Sequence, residues 1–241
     1  MSETIYAMGD IHGQIQMLHE ALAWIEADGG PDAQIVFLGD YVDRGPDSRG
    51  VIDVLKSGID AGRNWTALKG NHDRLFEWFM EDSPRLDPIL KAKYTWVSPP
   101  LGGDTTLASY GIEGAADTPL GVLHPAAQEA VPAEHLDFLK SLKTYYQFGD
   151  YLFVHAGIRP NVALEDQAED DFLWIREPYL SYADPHPWTV VHGHTALEAP
   201  QDYGNRINLD SGAGYGRPLS VAVCEGAEVS WLTQDGRIKV R

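Results

Sequence analysis

Carboxylates, imidazoles and one amide stand at the ends of apolar runs along this chain. They are Asp10 and His12 in GDIHG, Asp40 and Asp43 in GDYVDRG, Asn71 and His72 in GNHD, His155 in VHAG, and His192 and His194 in VVHGHT. Carboxylates three residues apart repel each other and resist burial, so the two in GDYVDRG need positive charge nearby, more than Arg44 alone offers. Nitrogen and oxygen donors without thiolate suit borderline or hard divalent metals such as manganese, iron or zinc, and disfavour a structural zinc site built from cysteine. Two such ions held about 3.5–4 Å apart can share a carboxylate and hold both the attacking and the departing oxygen of a phosphoryl displacement. Cations would then neutralise Asp40 directly, leaving Asp43 a separate role and Arg44 free to face a substrate.

The elements that must position these residues are legible in the first third of the chain. TIYAMGD reads as a short apolar strand, followed by a helical pattern through Met17, Leu18, Ala21, Leu22 and Ile25. AQIVFLGD precedes a second helix carrying Val51, Ile52, Val54 and Leu55, and WTALKGNHD a third carrying Leu75, Phe76 and Phe79. Asp10 and Asp40 are 30 residues apart and Asp40 and Asn71 are 31 apart, close to the length of one strand-helix-strand unit. A parallel sheet with right-handed crossovers follows, with each polar residue at the carboxyl end of its strand, where open α/β sheets place ligands.

The remainder is read more coarsely. Residues from about 84 to 142 mix proline-rich turns with helical pieces such as DTTLASYG and PAEHLDFLKSL, a helical insertion that either caps the site or merely connects packed elements. YYQFGDYLFVHAG reads as a hairpin turning at Gly149-Asp150, WTVVHGH as a buried strand, and PLSVAVCEGAEVSWLTQ as a hairpin turning near Glu225 to Ala227. A chain parallel early and antiparallel late suggests α/β architecture: two mixed sheets packed together with helices outside, in one domain over 1–241.

Composition limits the partners. The formal net charge of −18 argues against a nucleic-acid surface and against anionic membranes, both of which call for basic patches. One cysteine, Cys224, cannot form an intramolecular disulfide, which fits a reducing compartment. The N-terminus MSETIYAMGDIHG shows neither a basic n-region nor an apolar h-region, and no segment reaches membrane-spanning length. The expectation is a cytoplasmic protein; nothing in the sequence fixes its oligomeric state.

GDIHG, GDYVDRG and GNHD, in this order and spacing and followed by VHAG and GHT, resemble the phosphoprotein phosphatases among the calcineurin-like metallophosphoesterases, with the bacterial and phage serine/threonine phosphatases the most similar type. The resemblance spans Asp10 to about Asp210 and is weakest in the middle. It implies the family's αββα sandwich and two divalent metal ions, manganese first with iron or zinc as alternatives. Asp10, His12 and Asp40 would hold one ion, and Asp40, Asn71, His155 and His194 the other. A hydroxide bridging the metals would attack phosphorus in line, His72 would protonate the leaving oxygen, and Asp43 would fix and charge its ring. Arg44 and Arg176 resemble phosphate-binding arginines, with Asn71 also facing substrate. Lys69 stands where several relatives carry arginine, which leaves its contact with phosphate open.

These signals have bland counterparts. His192 reads as structural rather than as a ligand, and His19, His124, His135 and His186 match no motif. Arg176 could pair with Glu165, Asp170 or Asp171, Arg159 could cap or form a surface salt bridge, and Tyr215 could edge the substrate groove. The expected substrate is a phosphorylated protein or peptide. The alternatives are a symmetrical diadenosine tetraphosphate hydrolase or other small-molecule phosphoesterase, and a non-catalytic interaction module of the same fold. Asp43 favours the protein phosphatase, because those hydrolases commonly replace the acid at that position.

Overall fold

A computed structural model describes residues 4–91 and 93–241; the first three residues of the N-terminal segment read above lie outside it. The expected strand-helix units are present: β1 (Thr4–Met8), α1 (Ile15–Gly29), β2 (Ile35–Phe37), α2 (Ser48–Asp60), β3 (Trp65–Ala67) and α3 (Asn71–Phe79). β1, β2 and β3 pair in parallel. The apolar spacing that predicted α1 buries Leu18, Ala21 and Ile25, and Asp47 caps α2 by accepting the Gly50 N–H at 2.8 Å. Then come α4 (Gly103–Ser109), α5 (Leu120–Ala130), α6 (Ala133–Ser141), β4 (Tyr145–Phe148), β5 (Tyr151–Val154), α7 (Glu169–Trp174) and β6 (Thr189–His192). The chain closes with β7 (Gln201–Asp202), β8 (Arg206–Asn208), β9 (Val221–Glu225), β10 (Glu228–Thr233) and β11 (Gly236–Lys239).

Two mixed sheets result, ordered β11-β10-β9-β1-β2-β3 and β4-β5-β6-β8-β7. Period-two alternation assigns their faces. Ile5, Ala7, Val36 and Leu38 of the first sheet meet Tyr151, Phe153, Val191 and Ile207 of the second in one inter-sheet core. Tyr6, Met8, Ile35 and Phe37 face the helical layer of α1 to α6, while Leu152, Val154 and Val190 face Phe172 of α7. Both hairpins form where expected. The division into an early parallel and a late antiparallel part does not hold, because β5, β6 and β8 are parallel neighbours and the late β9 returns to pair antiparallel with β1. That return covers β1 with a partner on each side and leaves no open edge in mid-sheet. Among the described residues no helix is long and apolar enough to cross a membrane.

Candidate metal and phosphate site

Parallel strands end together, so the carboxyl ends of β1, β2 and β3 in one sheet and of β5, β6 and β8 in the other form a single edge. Asp10 and His12 follow β1, Asp40, Asp43 and Arg44 follow β2, Asn71 and His72 open α3 after β3, His155 follows β5, and His194 follows β6. The backbone there is unusual. Six non-glycine residues have positive φ among those described, and five are His12 (47°), Asp40 (54°), Asp43 (74°), Arg44 (67°) and His194 (63°). A left-handed conformation costs an ordinary residue roughly 1–3 kcal/mol, so it persists only where surrounding contacts over-determine it, and it turns side chains that would otherwise diverge toward one point. Glycines allow the close approach: a Cβ on Gly70 would land on Asp40, and one on Gly193 on the Asp10 carboxylate.

Asp40 stands at the centre. Its Oδ2 is 3.6 Å from His12 Nε2 and 3.5 Å from His155 Nε2, so one carboxylate oxygen lies between imidazoles from the two sheets. Donor atoms gather in two buried groups that share it, His12–Asp40–His72 and Asp40–His155–His194. Asn71 Oδ1 is 2.9 Å from His155 Nε2 and 2.8 Å from His194 Nδ1. Asp10 stands beside these groups, its carboxylate accepting the His194 backbone N–H at 3.1 Å. Every residue expected as a ligand is thus at one edge, with the difference that His72 rather than Asp10 falls within the first group.

The donors suit divalent cations. His12 Nδ1 donates to the Val42 carbonyl at 2.8 Å and His155 Nδ1 to the Leu38 carbonyl at 2.9 Å, which fixes both rings with a lone pair on Nε2. Burial lowers the pKa of His12, aided by the Arg44 guanidinium, and lowers that of His155, so both favour the neutral, ligating form. His194 is lowered by burial and by His155 and Arg176, and its Nε2 is a buried nitrogen without a hydrogen-bond partner among the described residues. The His155 lone pair faces Asn71 Oδ1, acceptor to acceptor, an arrangement that a shared cation satisfies. Burial raises Asp10, reinforced by Asp210 and Asp40. Burial also pushes Asp40 up, but its attraction for a proton on the surrounding imidazoles, His155 foremost, outweighs burial and lowers that carboxyl below the ordinary range, so Asp40 is the group of the cluster that keeps its negative charge. Three buried carboxylates beside neutral imidazoles make a pocket that favours positive charge.

A pocket of about 220 Å³ opens on this edge, lined among others by Arg44, Asn71, His72, Trp174, Arg176 and Tyr215. Arg44 donates to His12 Nε2 and, at 3.0 Å, to His72 Nε2, and lies 5.0 Å from the centre of the Tyr215 ring. Arg176 is exposed, and two of the three acids it could have paired with are engaged elsewhere: Asp170 with Arg74 at 2.6 Å and Asp171 with Arg159 at 2.8 Å. Arg159 therefore has the salt-bridge role. Lys69 bonds Glu77 at 2.8 Å and does not line the pocket. His192 is fully buried against Arg206 and Tyr179, outside the pocket.

His72 Nδ1 meets Asp43 Oδ2 at 2.6 Å, with the Asp43 carboxylate wholly buried. Several residues in this neighbourhood escaped the sequence reading. Asp73 accepts the backbone N–H groups of Asp40, Tyr41 and Gly70 at 2.8, 2.9 and 2.8 Å and so pins the β2 and β3 loops together. Its position inside GNHD was the available signal. Asp210 repeats the rule of a polar residue ending a strand, but β8 is only three residues long and gave little pattern. Trp96 and Thr106 both bond Asp43 from the helical segment, and no local signal marks either one.

Residues 3–219 match the family described as calcineurin-like phosphoesterase. A serine/threonine-protein phosphatase 1 of Salmonella typhimurium is 29% identical over 231 residues, covering 90% of each chain. A bis(5'-nucleosyl)-tetraphosphatase of the asymmetrical type from Geobacillus thermodenitrificans is 24% identical over 238 residues, covering 88% of this chain and 87% of its own. A crystal structure provisionally assigned as a diadenosine tetraphosphatase superposes with a TM-score of 0.66 at 25% identity, covering 96% of this chain and 94% of the other.

Proposed function

This chain belongs to the calcineurin-like phosphoesterase family, whose chemistry is phosphoester hydrolysis with two divalent metals, and on that premise we propose that it is a manganese-dependent phosphomonoesterase acting on phosphoserine and phosphothreonine in proteins. The observation that carries this reading is the buried Asp43–His72 pair, joined at 2.6 Å at the pocket wall. Serine and threonine leave as alkoxides, which are strongly basic and need a proton in the transition state. The phosphate released from an anhydride is weakly basic and needs none. A built proton donor is therefore worth most to an enzyme for alkyl monoesters.

When bound, two divalent cations supply an activated water near neutral pH and neutralise charge on the phosphoryl oxygens. Asp10, His12, Asp40, Asn71, His155 and His194 would hold them. Arg44 and Arg176 enter the pocket from different loops and present planar forks to the remaining phosphoryl oxygens, with the Asn71 amide beside them. Once Arg44 turns from His72 Nε2 to a phosphoryl oxygen, that nitrogen would carry the proton for the leaving oxygen, while Asp43 accepts from Nδ1 and keeps the ring aimed. Trp174 and Leu101 complete the wall and limit water.

A dinucleoside polyphosphate is the second reading, supported by the relatives so named and by Tyr215, 62% exposed at the pocket edge, where a base could stack. Comparing kcat/KM for phosphoserine and phosphothreonine peptides with that for dinucleoside tetraphosphates, in the presence of manganese, separates the two. The peptides are expected to be the better substrates; far more efficient turnover of the dinucleotides would reverse the assignment.

A further inference from the structure

Among the described residues of 84–142, Leu101 alone lines the pocket wall, yet two other side chains of the segment end on the buried carboxylate behind it. Trp96 Nε1–H donates to both Asp43 oxygens, at 3.0 Å to Oδ1 and 2.9 Å to Oδ2. Thr106 Oγ1–H donates to Oδ1 at 2.7 Å and accepts the Asp43 backbone N–H at 2.8 Å. We propose that this segment is the mounting of the proton donor: Trp96, assisted by Thr106, is a positioning residue that fixes the Asp43 carboxylate and through it aims His72 at the leaving oxygen. The proposal rests on the reading of His72 as the acid.

The geometry leaves the carboxylate one orientation. The indole N–H between the two oxygens opposes rotation of the carboxylate plane, Thr106 holds the Oδ1 side, and Oδ2 is directed at His72 Nδ1. Asp43 is fully buried, so no water can replace a lost donor cheaply. Trp96 is in turn clamped, stacked on Phe76 at 4.9 Å and tilted on Phe79 at 4.8 Å between ring centres. Both rings belong to α3, the helix whose first turn carries His72. One rigid element thus sets the position of the imidazole and of the donor that orients its carboxylate, and an error in either is shared by both. Packing alone would be served by any large apolar ring; a directional N–H into a carboxylate serves orientation.

The test uses the full chain loaded with manganese and two aryl esters. Phenyl phosphate releases a basic phenolate that benefits from protonation, whereas 2,4-dinitrophenyl phosphate releases one that does not. Trp96→Phe removes the N–H and keeps an aromatic ring; Thr106→Val removes the hydroxyl at nearly constant shape. In each, the kcat ratio of phenyl to dinitrophenyl ester is expected to fall at least about tenfold, with KM and manganese content per chain close to wild type. His72→Asn, assayed alongside, sets the full size of the effect. A wild-type ratio in both variants, with a lowered ratio in His72→Asn, overturns the positioning role and leaves the acid in place. An unaltered ratio in His72→Asn removes the acid reading itself. If Trp96→Phe does not fold, Thr106→Val carries the same expectation.

Discussion

Asp40 and His72 lie within one buried cluster, yet the roles proposed for them demand opposite responses to substitution. Asp40 Oδ2 faces His12 and His155, while its Oδ1 accepts the His72 backbone N–H at 2.9 Å, so its charge serves both candidate metal positions at once. Asp40→Asn removes that charge and is expected to abolish manganese binding and turnover together. His72 gives its Nδ1 to Asp43 and leaves only Nε2 toward the pocket. His72→Asn is therefore expected to retain the metal while turnover of an alkyl or phenyl ester falls by roughly 100-fold or more, the scale of a lost general acid. Elemental analysis of the two purified variants checks this, and equal metal loss in both would contradict the division of roles. The arginines show why an acidic protein can still take a phosphate. Arg159 and Arg74 are held by nearby acids, while Arg44 and Arg176 stay at the pocket.

At the scale of elements, the site depends on strands whose ends coincide and on a core that keeps them in register. β9 lies beside β1 with Cys224 opposite Ile5 and Val229, inside the inter-sheet core. Burial pushes the Cys224 thiol up to about 12. The thiolate, which is the reactive species, is thus scarce at neutral pH and also shielded. The native protein is expected not to react with a disulfide reagent at pH 8, and to release one equivalent per chain once denatured. Prompt reaction in the native state would show that the β1–β9 pair opens readily. The helical segment carries a parallel lesson. DTTLASYG and PAEHLDFLKSL form α4 and α6 as their patterns predict, and the same segment lends Leu101 to the pocket wall while Trp96 and Thr106 reach Asp43 from behind it.

Over the whole molecule, the last strand is tied back to the first helix and strand. Arg237 of β11 donates through Nε to both oxygens of Asp28 at 2.9 Å and through NH1 to Glu225, and Tyr6 OH donates to Asp28 at 2.6 Å. Burial alone would raise Asp28, but the Arg237 and Tyr6 hydrogen bonds outweigh it and lower its pKa below the ordinary carboxylate value. A depressed folded-state pKa means the folded chain holds fewer protons there than the unfolded one. The stabilisation is complete above the unfolded value of about 3.9 and is lost as pH falls through the lower folded value. Arg237→Ala is expected to lower the melting temperature at pH 7, and the gap from wild type is expected to narrow progressively as pH falls below the ordinary carboxylate value. A gap of constant size across that range would assign the tie to packing instead.

The sequence by itself determined which residue types end the strands, their order, and the alternation that gives each strand an inner and an outer face, because these are properties of neighbours along the chain. From them the first three strand-helix units, both hairpins and a set of polar strand ends could be read, while it was the resemblance of GDIHG, GDYVDRG, GNHD, VHAG and GHT to a known family that implied Asp10, His12, Asp40, Asn71, His155 and His194 as one ligand set. Only the tertiary structure decided that β5, β6 and β8 run parallel so that their ends meet those of the first sheet. It also decided that Asp73 pins two loops through three backbone N–H groups, and that Trp96, 53 positions from Asp43, closes on its carboxylate. Those contacts join residues far apart in the chain, and their geometry follows from packing and burial, which leave no periodic trace in the residues themselves.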